Sequence, residues 1–275
     1  MRITLLDIRR MKSARRRIAM LTAYDYAGAR IADRAGVTLL LVGDSLGMVM
    51  LGHDTTLPVS LDDMVRHAAA VVRGSEKALV IADLPFLTYA DRESAISAAR
   101  RVMQEAGVQA VKLEGGANVA PIVEHLTRFG VPVMGHLGFT PQSQHTLGVR
   151  VQAKEASCAK RLLEDSLALE AAGAFAVVLE LVPAPLAEAI SQRLRIPTIG
   201  IGAGAGCDGQ VQVWHDLLGL FETSPRHAKR YAEIGAAMEE AVRAYAADVE
   251  AGAFPTRVQS VGMDADELVR ALAQT

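Results

Sequence analysis

Short, nearly continuous apolar runs alternate with longer stretches of helical periodicity along most of the chain. Eight runs stand out: AMLTAYD from Ala19, TLLLVGD from Thr38, ALVIAD from Ala78, QAVKLEG from Gln109, VPVMGHLG from Val131, FAVVLELVP from Phe175, PTIGIGAG from Pro197 and a weaker VQVWHD from Val211. Strands that are apolar on both faces are the mark of a parallel sheet covered by helices, and segments such as Ser94 to Gly107 supply the helices between them. Eight βα units without a linker predict an α/β fold of the (β/α)8 TIM-barrel type, closed rather than doubly wound. Thr4 and Asp7 have the spacing of a helix start, so a short N-terminal helix is expected to cap one end of the barrel.

The chain has 275 residues, a common length for one such barrel, so residues 1–275 are read as a single domain. Lys and Arg number 29 against 31 Asp and Glu, a net charge of -2 that gives no electrostatic reason to bind nucleic acid. The basic run Arg15-Arg16-Arg17, with Lys12 and Arg10 before it, reads as a solvated rim. Two cysteines, Cys158 and Cys207, lie far from any paired spacing, which suggests neither a disulfide framework nor a zinc site and fits a cytoplasmic enzyme. The N-terminus lacks the pattern of a secretory signal, and no apolar run approaches membrane-spanning length, so no membrane association is expected.

In a barrel, function is read at the C-terminal ends of the strands. Here those ends are polar: Asp44-Ser45 after the second run, Asp83 after the third, Lys112 and Glu114 in the fourth, His136 in the fifth and Glu180 in the sixth. Lys112 and Glu114 are two apart, so strand alternation puts them on one face, towards the mouth if Val111 and Leu113 pack against helices. Asp44, Asp83 and Glu114 would offer three hard oxygen donors without Cys or His, a set suited to Mg2+ rather than Zn2+. An acid after a strand can instead cap the next helix, and the whole set can form an ion-pair network around Lys112. His136 is read equally as a substrate contact or a structural histidine, while His53, His67, His125, His145, His215 and His227 show no ligand spacing. GIGAGA at Gly200 formally matches a dinucleotide fingerprint, but it lies far from a first βα unit and reads better as a tight loop beside the pocket.

Taken in order, TAYDY at Thr22, GDSLGM at Gly43, GHDTTLPV at Gly52, ADLPF at Ala82, KLEGG at Lys112, GHLGFTPQS at Gly135, VLELVP at Val178, GIGAG at Gly200 and DGQVQVWHDLLGL at Asp208 resemble the ketopantoate hydroxymethyltransferase family. The resemblance implies transfer of the one-carbon unit of 5,10-methylenetetrahydrofolate to 3-methyl-2-oxobutanoate, forming 2-dehydropantoate for pantothenate biosynthesis. It also implies a Mg2+-dependent barrel assembled as a homodecamer. By position, Asp44, Asp83 and Glu114 match the family's metal residues, Ser45, Asp83 and Lys112 its oxo-acid contacts, with Asp44 beside them, and Glu180 its proton acceptor. The chain departs from the family pattern at Arg66, Ala153, Leu181 and His227, none of them a carried-over site residue. Two other readings stay open: another Mg2+-dependent barrel lyase or aldolase acting next to a 2-oxo acid, and a protein that binds the oxo acid or folate without turnover. Asp44 and Glu180 are both present, which speaks against the second.

Overall fold

A computed structural model describes residues 1–273. Eight parallel strands close into a barrel in chain order: β1 (Ile18–Thr22), β2 (Leu39–Val42), β3 (Leu79–Asp83), β4 (Ala110–Glu114), β5 (Val133–Gly138), β6 (Ala176–Glu180), β7 (Thr198–Ile201) and β8 (Gly209–Gln212). The main helices are α1 (Leu5–Ser13), α2 (Tyr26–Arg34), α3 (Leu61–Gly74), α4 (Arg92–Arg100), α5 (Ala120–Arg128), α6 (Ala156–Ala171), α7 (Ala184–Arg193) and α8 (Ile234–Glu250). The expected (β/α)8 architecture is therefore present, and no helix among the described residues is long and apolar enough to cross a membrane.

Strand alternation divides the apolar residues into two cores. Leu40, Val42, Val80, Val111, Leu113, Val177 and Leu179 point outward and pack with helix residues such as Met64, Ala95, Leu126, Leu169 and Ile190. Met20, Leu39, Leu41, Leu79, Ile81, Met134, Val178 and Val211 fill the barrel interior, and α1 inserts Ile8 and Met11 into that inner cluster. The predicted cap is thus a plug for one end. It starts at a reciprocal capping box in which Asp7 N–H donates to Thr4 Oγ1 (3.3 Å) and Thr4 N–H to Asp7 Oδ2 (2.9 Å).

Two elements differ from the sequence expectation. The helix expected over residues 94–107 is α4 followed by a π-helical turn at Arg101–Glu105. The last strand begins two residues before VQVWHD and ends at its second residue, Gln212, because Trp214–Leu218 is helical and Trp214 N–H is bound by Thr22 Oγ1 at 2.8 Å. Gly209 makes the earlier strand possible: a Cβ there would sit 2.4 Å from Ile18 O in the seam that closes the barrel. The GIGAG segment leads from β7 into β8 with no helix between them, which removes the dinucleotide-binding arrangement.

Candidate active site

One end of the barrel gathers the ionisable residues singled out in the sequence. Asp44, Asp83, Lys112, Glu114 and His136 are each 5% exposed or less, and with Ser45 and the half-buried Glu180 they line a single cavity of about 390 Å³. Asp83, Lys112 and Glu114 project inward from β3 and β4 because Val111 and Leu113 take the outward positions. His136 lies within β5, two residues before its end, opposite Glu114 in the parallel register.

The hydrogen bonds orient each carboxylate by one oxygen. Asp44 N–H donates to Asp83 Oδ2 (3.0 Å), Gln142 Nε2 to Asp44 Oδ2 (2.8 Å), and the backbone N–H of Gln142 to Glu114 Oε2 (2.9 Å). Lys112 Nζ stands 2.9 Å from Asp83 Oδ1, and His136 Nδ1 stands 3.2 Å from Glu114 Oε1. Both distances are within ion-pair range, yet Asp83 Oδ1 and Glu114 Oε1 are buried without an aligned hydrogen-bond donor. The second oxygens of the acids are thereby left for something in the cavity.

His136 links the two halves of this cluster. Lys112 Nζ lies 3.2 Å from its Nδ1, and Glu180 Oε2 lies 3.2 Å from its Nε2. An ammonium can only donate, so Nδ1 accepts and the ring proton belongs on Nε2, near Glu180 but without an aligned hydrogen bond to it. Burial, then the Lys112 charge, hold the imidazole below its ordinary pKa, so His136 is neutral rather than a second cation.

Burial, reinforced by Asp83 and Glu114, holds the Asp44 carboxyl well above the usual carboxylate range. Glu114 is pushed up to about 7, by burial first, with Lys112 pulling the other way and Asp83 adding to the rise. Burial opposes the charge of Lys112, but Asp83, Glu114 and Asp44 outweigh it and its pKa rises above the ordinary lysine range. One ammonium among four carboxylates leaves the cluster short of positive charge. A divalent cation fits that deficit and the unaligned oxygens. Among the described residues, however, no three His, Cys, Asp or Glu side chains are gathered as a ready-made shell. A cation held here would keep water or substrate oxygens in its coordination sphere, as Mg2+ commonly does.

Several lining groups escape a reading of strand ends. Tyr24 Oη is 2.9 Å from Ser45 Oγ and fixes that hydroxyl, and burial raises the Tyr24 pKa above the ordinary range. Gln142, in a 3-10 turn after β5, and Tyr89, in the loop after β3, stand beside the cavity, while Gln144 and Asp216 line it from short helices and His227 from a loop. Of the family departures, Leu181 and His227 line this cavity, whereas Arg66 is on α3 and Ala153 on a loop. Motif membership offered a signal for Gln142 and Tyr24, since both sit in quoted blocks. Asp216 carried the same signal, being inside the DGQVQVWHDLLGL block, but no strand-end pattern marked Gln144 or His227.

The sequence matches the family profile described as ketopantoate hydroxymethyltransferase over residues 2–257. A 3-methyl-2-oxobutanoate hydroxymethyltransferase of Gluconacetobacter diazotrophicus is 70% identical over 273 residues, covering 99% of each chain. One from Chloroflexus aurantiacus is 61% identical, covering 99% of this chain and 97% of that one. Solved structures similar in fold include 2,3-dimethylmalate lyase, a PEP mutase/isocitrate lyase superfamily member, at TM-score 0.58 and 17% identity over 98% of both chains. Phosphonopyruvate hydrolase in complex with oxalate and Mg++ aligns at TM-score 0.61 and 13% identity, over 98% of this chain and 95% of that one.

Proposed function

Because the chain belongs to the ketopantoate hydroxymethyltransferase family and is a hydroxymethyltransferase, we propose that it transfers the one-carbon unit of 5,10-methylenetetrahydrofolate to 3-methyl-2-oxobutanoate, forming 2-dehydropantoate for pantothenate biosynthesis. The observation that carries this reading is the cation-deficient cluster of Asp44, Asp83 and Glu114 beside Lys112, with Glu180 reached through His136. An anionic oxo acid would be repelled by such a cluster alone. It is accommodated once a divalent cation joins Lys112.

Asp44, Asp83 and Glu114 are the residues that would hold Mg2+, through the oxygens left over by the hydrogen bonds above. When bound, Mg2+ would polarise the keto group and carry part of the charge that develops on its oxygen. Lys112 places a fixed ammonium beside the same oxygen, and Ser45, held by Tyr24, is set to donate to the substrate carboxylate. Glu180 removes the C3 proton, with the His136 ring 3.2 Å from its carboxylate. C3 then bonds to the one-carbon unit as both of its C–N bonds to the folate break; water supplies the hydroxyl oxygen, and tetrahydrofolate leaves with the two freed nitrogens protonated, one by the proton taken from C3 and one by water. Met48, Phe139 and Val178 give this part of the cavity apolar walls that limit water around the reacting carbon.

Tetrahydrofolate formation, followed with and without 3-methyl-2-oxobutanoate, tests both substrates together. Release is expected only with the oxo acid present. Release with a straight-chain aldehyde acceptor but not with this oxo acid would favour a different lyase or aldolase.

The chain is also proposed to work as a homo-oligomer, a decamer by family resemblance. Helix α8 exposes Ile234, Met238, Val242, Tyr245 and Val249 along one stripe, while an apolar groove on the outer face of β1 and β8, lined by Ala19, Leu21, Val37 and Leu217, has no helix of its own over it. A second copy's α8 would offer this groove an apolar stripe. Light scattering should give a multimer that Val242→Glu with Tyr245→Glu dissociates; a native monomer at working concentration would end this reading.

A further inference from the structure

Gln142 is a buried amide in the loop after β5, inside the GHLGFTPQS block, and it touches two of the three acids from different atoms. Its Nε2 donates to Asp44 Oδ2 (2.8 Å) and to the Leu84 carbonyl (3.0 Å), while its backbone N–H donates to Glu114 Oε2 (2.9 Å). Its Oε1 accepts from Tyr89 Oη at 2.6 Å, and Tyr89 Oη in turn accepts from Glu114 N–H at 3.3 Å. Tyr89 therefore decides which end of the amide faces Asp44. With the amide reversed, Oε1 would meet two acceptors, the Asp44 carboxylate and the Leu84 carbonyl, and every contact at that end would become repulsive.

We propose that Gln142, locked in orientation by Tyr89, is a positioning residue for cation binding, turning one oxygen each of Asp44 and Glu114 out of the cavity's reach so that the other faces the ion. This rests on the metal reading of the site. The physical case is that a carboxylate with one oxygen fixed presents the other in a single direction, and two such carboxylates tied to one residue are fixed relative to each other. The fixing is mutual: Asp44 follows β2, Leu84 follows β3, Glu114 ends β4 and Gln142 lies beyond β5, so one residue ties four consecutive barrel units. Burial, then the Glu114 charge, hold the Tyr89 hydroxyl protonated well above its ordinary range, as a permanent donor. Neither residue reaches the reacting carbon; both act through the acids.

The test reads cation binding directly, without substrate. Mn2+ affinity is measured from the loss of its free-ion paramagnetic resonance signal, on the native chain, Gln142→Met, Tyr89→Phe and the double variant, with melting temperature as a folding check. Gln142→Met keeps the length and loses both amide groups, and is expected to weaken Mn2+ binding at least tenfold. Tyr89→Phe removes only the hydroxyl, packs in the same space and is expected to weaken it severalfold. In the Gln142→Met background, Tyr89→Phe should cost clearly less than in the native chain, because the larger part of its effect passes through the amide and only its bond from Glu114 N–H remains. Native affinity in folded Gln142→Met, or an additive loss in the double variant, overturns the proposal while leaving the metal site standing. If Gln142→Met does not fold, native affinity in Tyr89→Phe overturns it, and a severalfold loss there supports it. A native chain that binds no Mn2+ overturns the metal reading and this inference together.

Discussion

Glu180→Gln is expected to lose about a hundredfold to ten-thousandfold in turnover, the usual cost of removing a positioned general base, while the protein folds and binds the oxo acid as before. The substitution preserves shape and removes basicity. Its backbone is held independently of its carboxylate: Glu180 O accepts from Phe139 N–H at 2.8 Å. Gly138 has φ +91, and a Cβ there would lie 2.2 Å from Glu180 O, so the approach of β5 to β6 depends on that glycine and not on the acid. Turnover alone does not assign the step. Exchange of the C3 hydrogen of 3-methyl-2-oxobutanoate with D2O, measured with Mg2+ and no folate, sees deprotonation by itself. The native enzyme should exchange rapidly and the Gln variant should not. Native-rate exchange in a folded variant that fails in turnover would place Glu180 in a later step and make His136, 3.2 Å away, the next base to test.

The barrel and the acids at its mouth were legible in the sequence because both follow from period. Apolar runs alternating with helices announce the parallel strands, and a two-residue spacing puts Lys112 and Glu114 on one face wherever Val111 and Leu113 are buried on the other. The wiring among the side chains was not legible. Gln142 reaches Asp44, 98 positions away, only because a loop folds back over the mouth. Tyr89 shares that network from the loop after β3, and no periodicity governs loop residues. The end of the last strand was misplaced for a related reason: Val211 to Asp216 alternates like a strand, but a tertiary contact from Thr22 to Trp214 N–H starts a helix there. His136 kept two readings in the sequence. The structure shows the ring buried like a structural histidine, between Lys112 and Glu180, and the substrate contact remains a proposal.

Stripping divalent cations should abolish turnover and Mg2+ should restore it, with Asp44→Asn needing far more Mg2+ than the native enzyme. The electrostatics add a pH signature. In the cation-free protein Glu114 titrates near 7 instead of the ordinary value of about 4.3. A carboxyl whose pKa is raised by folding binds a proton that the unfolded chain gives up. Its contribution to stability is complete below about pH 4.3 and is lost as pH rises through about 7. A cation requires the ionised carboxylate and displaces that proton, so Mg2+ affinity should climb as pH rises towards about 7 and level off above it. The thermal stabilisation given by saturating Mg2+ should be greatest on the alkaline side, where the ionised acids otherwise repel one another. Calorimetric titration at about pH 6 in two buffers of different ionisation enthalpy should register proton release on binding, and Glu114→Gln and Asp44→Asn should each reduce it. Manganese or cobalt may be substituted in the same experiments without identifying the ion used in the cell, since hard oxygen sites discriminate weakly among them. Full turnover in excess chelator would refute the metal requirement. An affinity flat from about pH 5.5 to about pH 8 would instead remove both raised acids, Glu114 and Asp44, from the binding set.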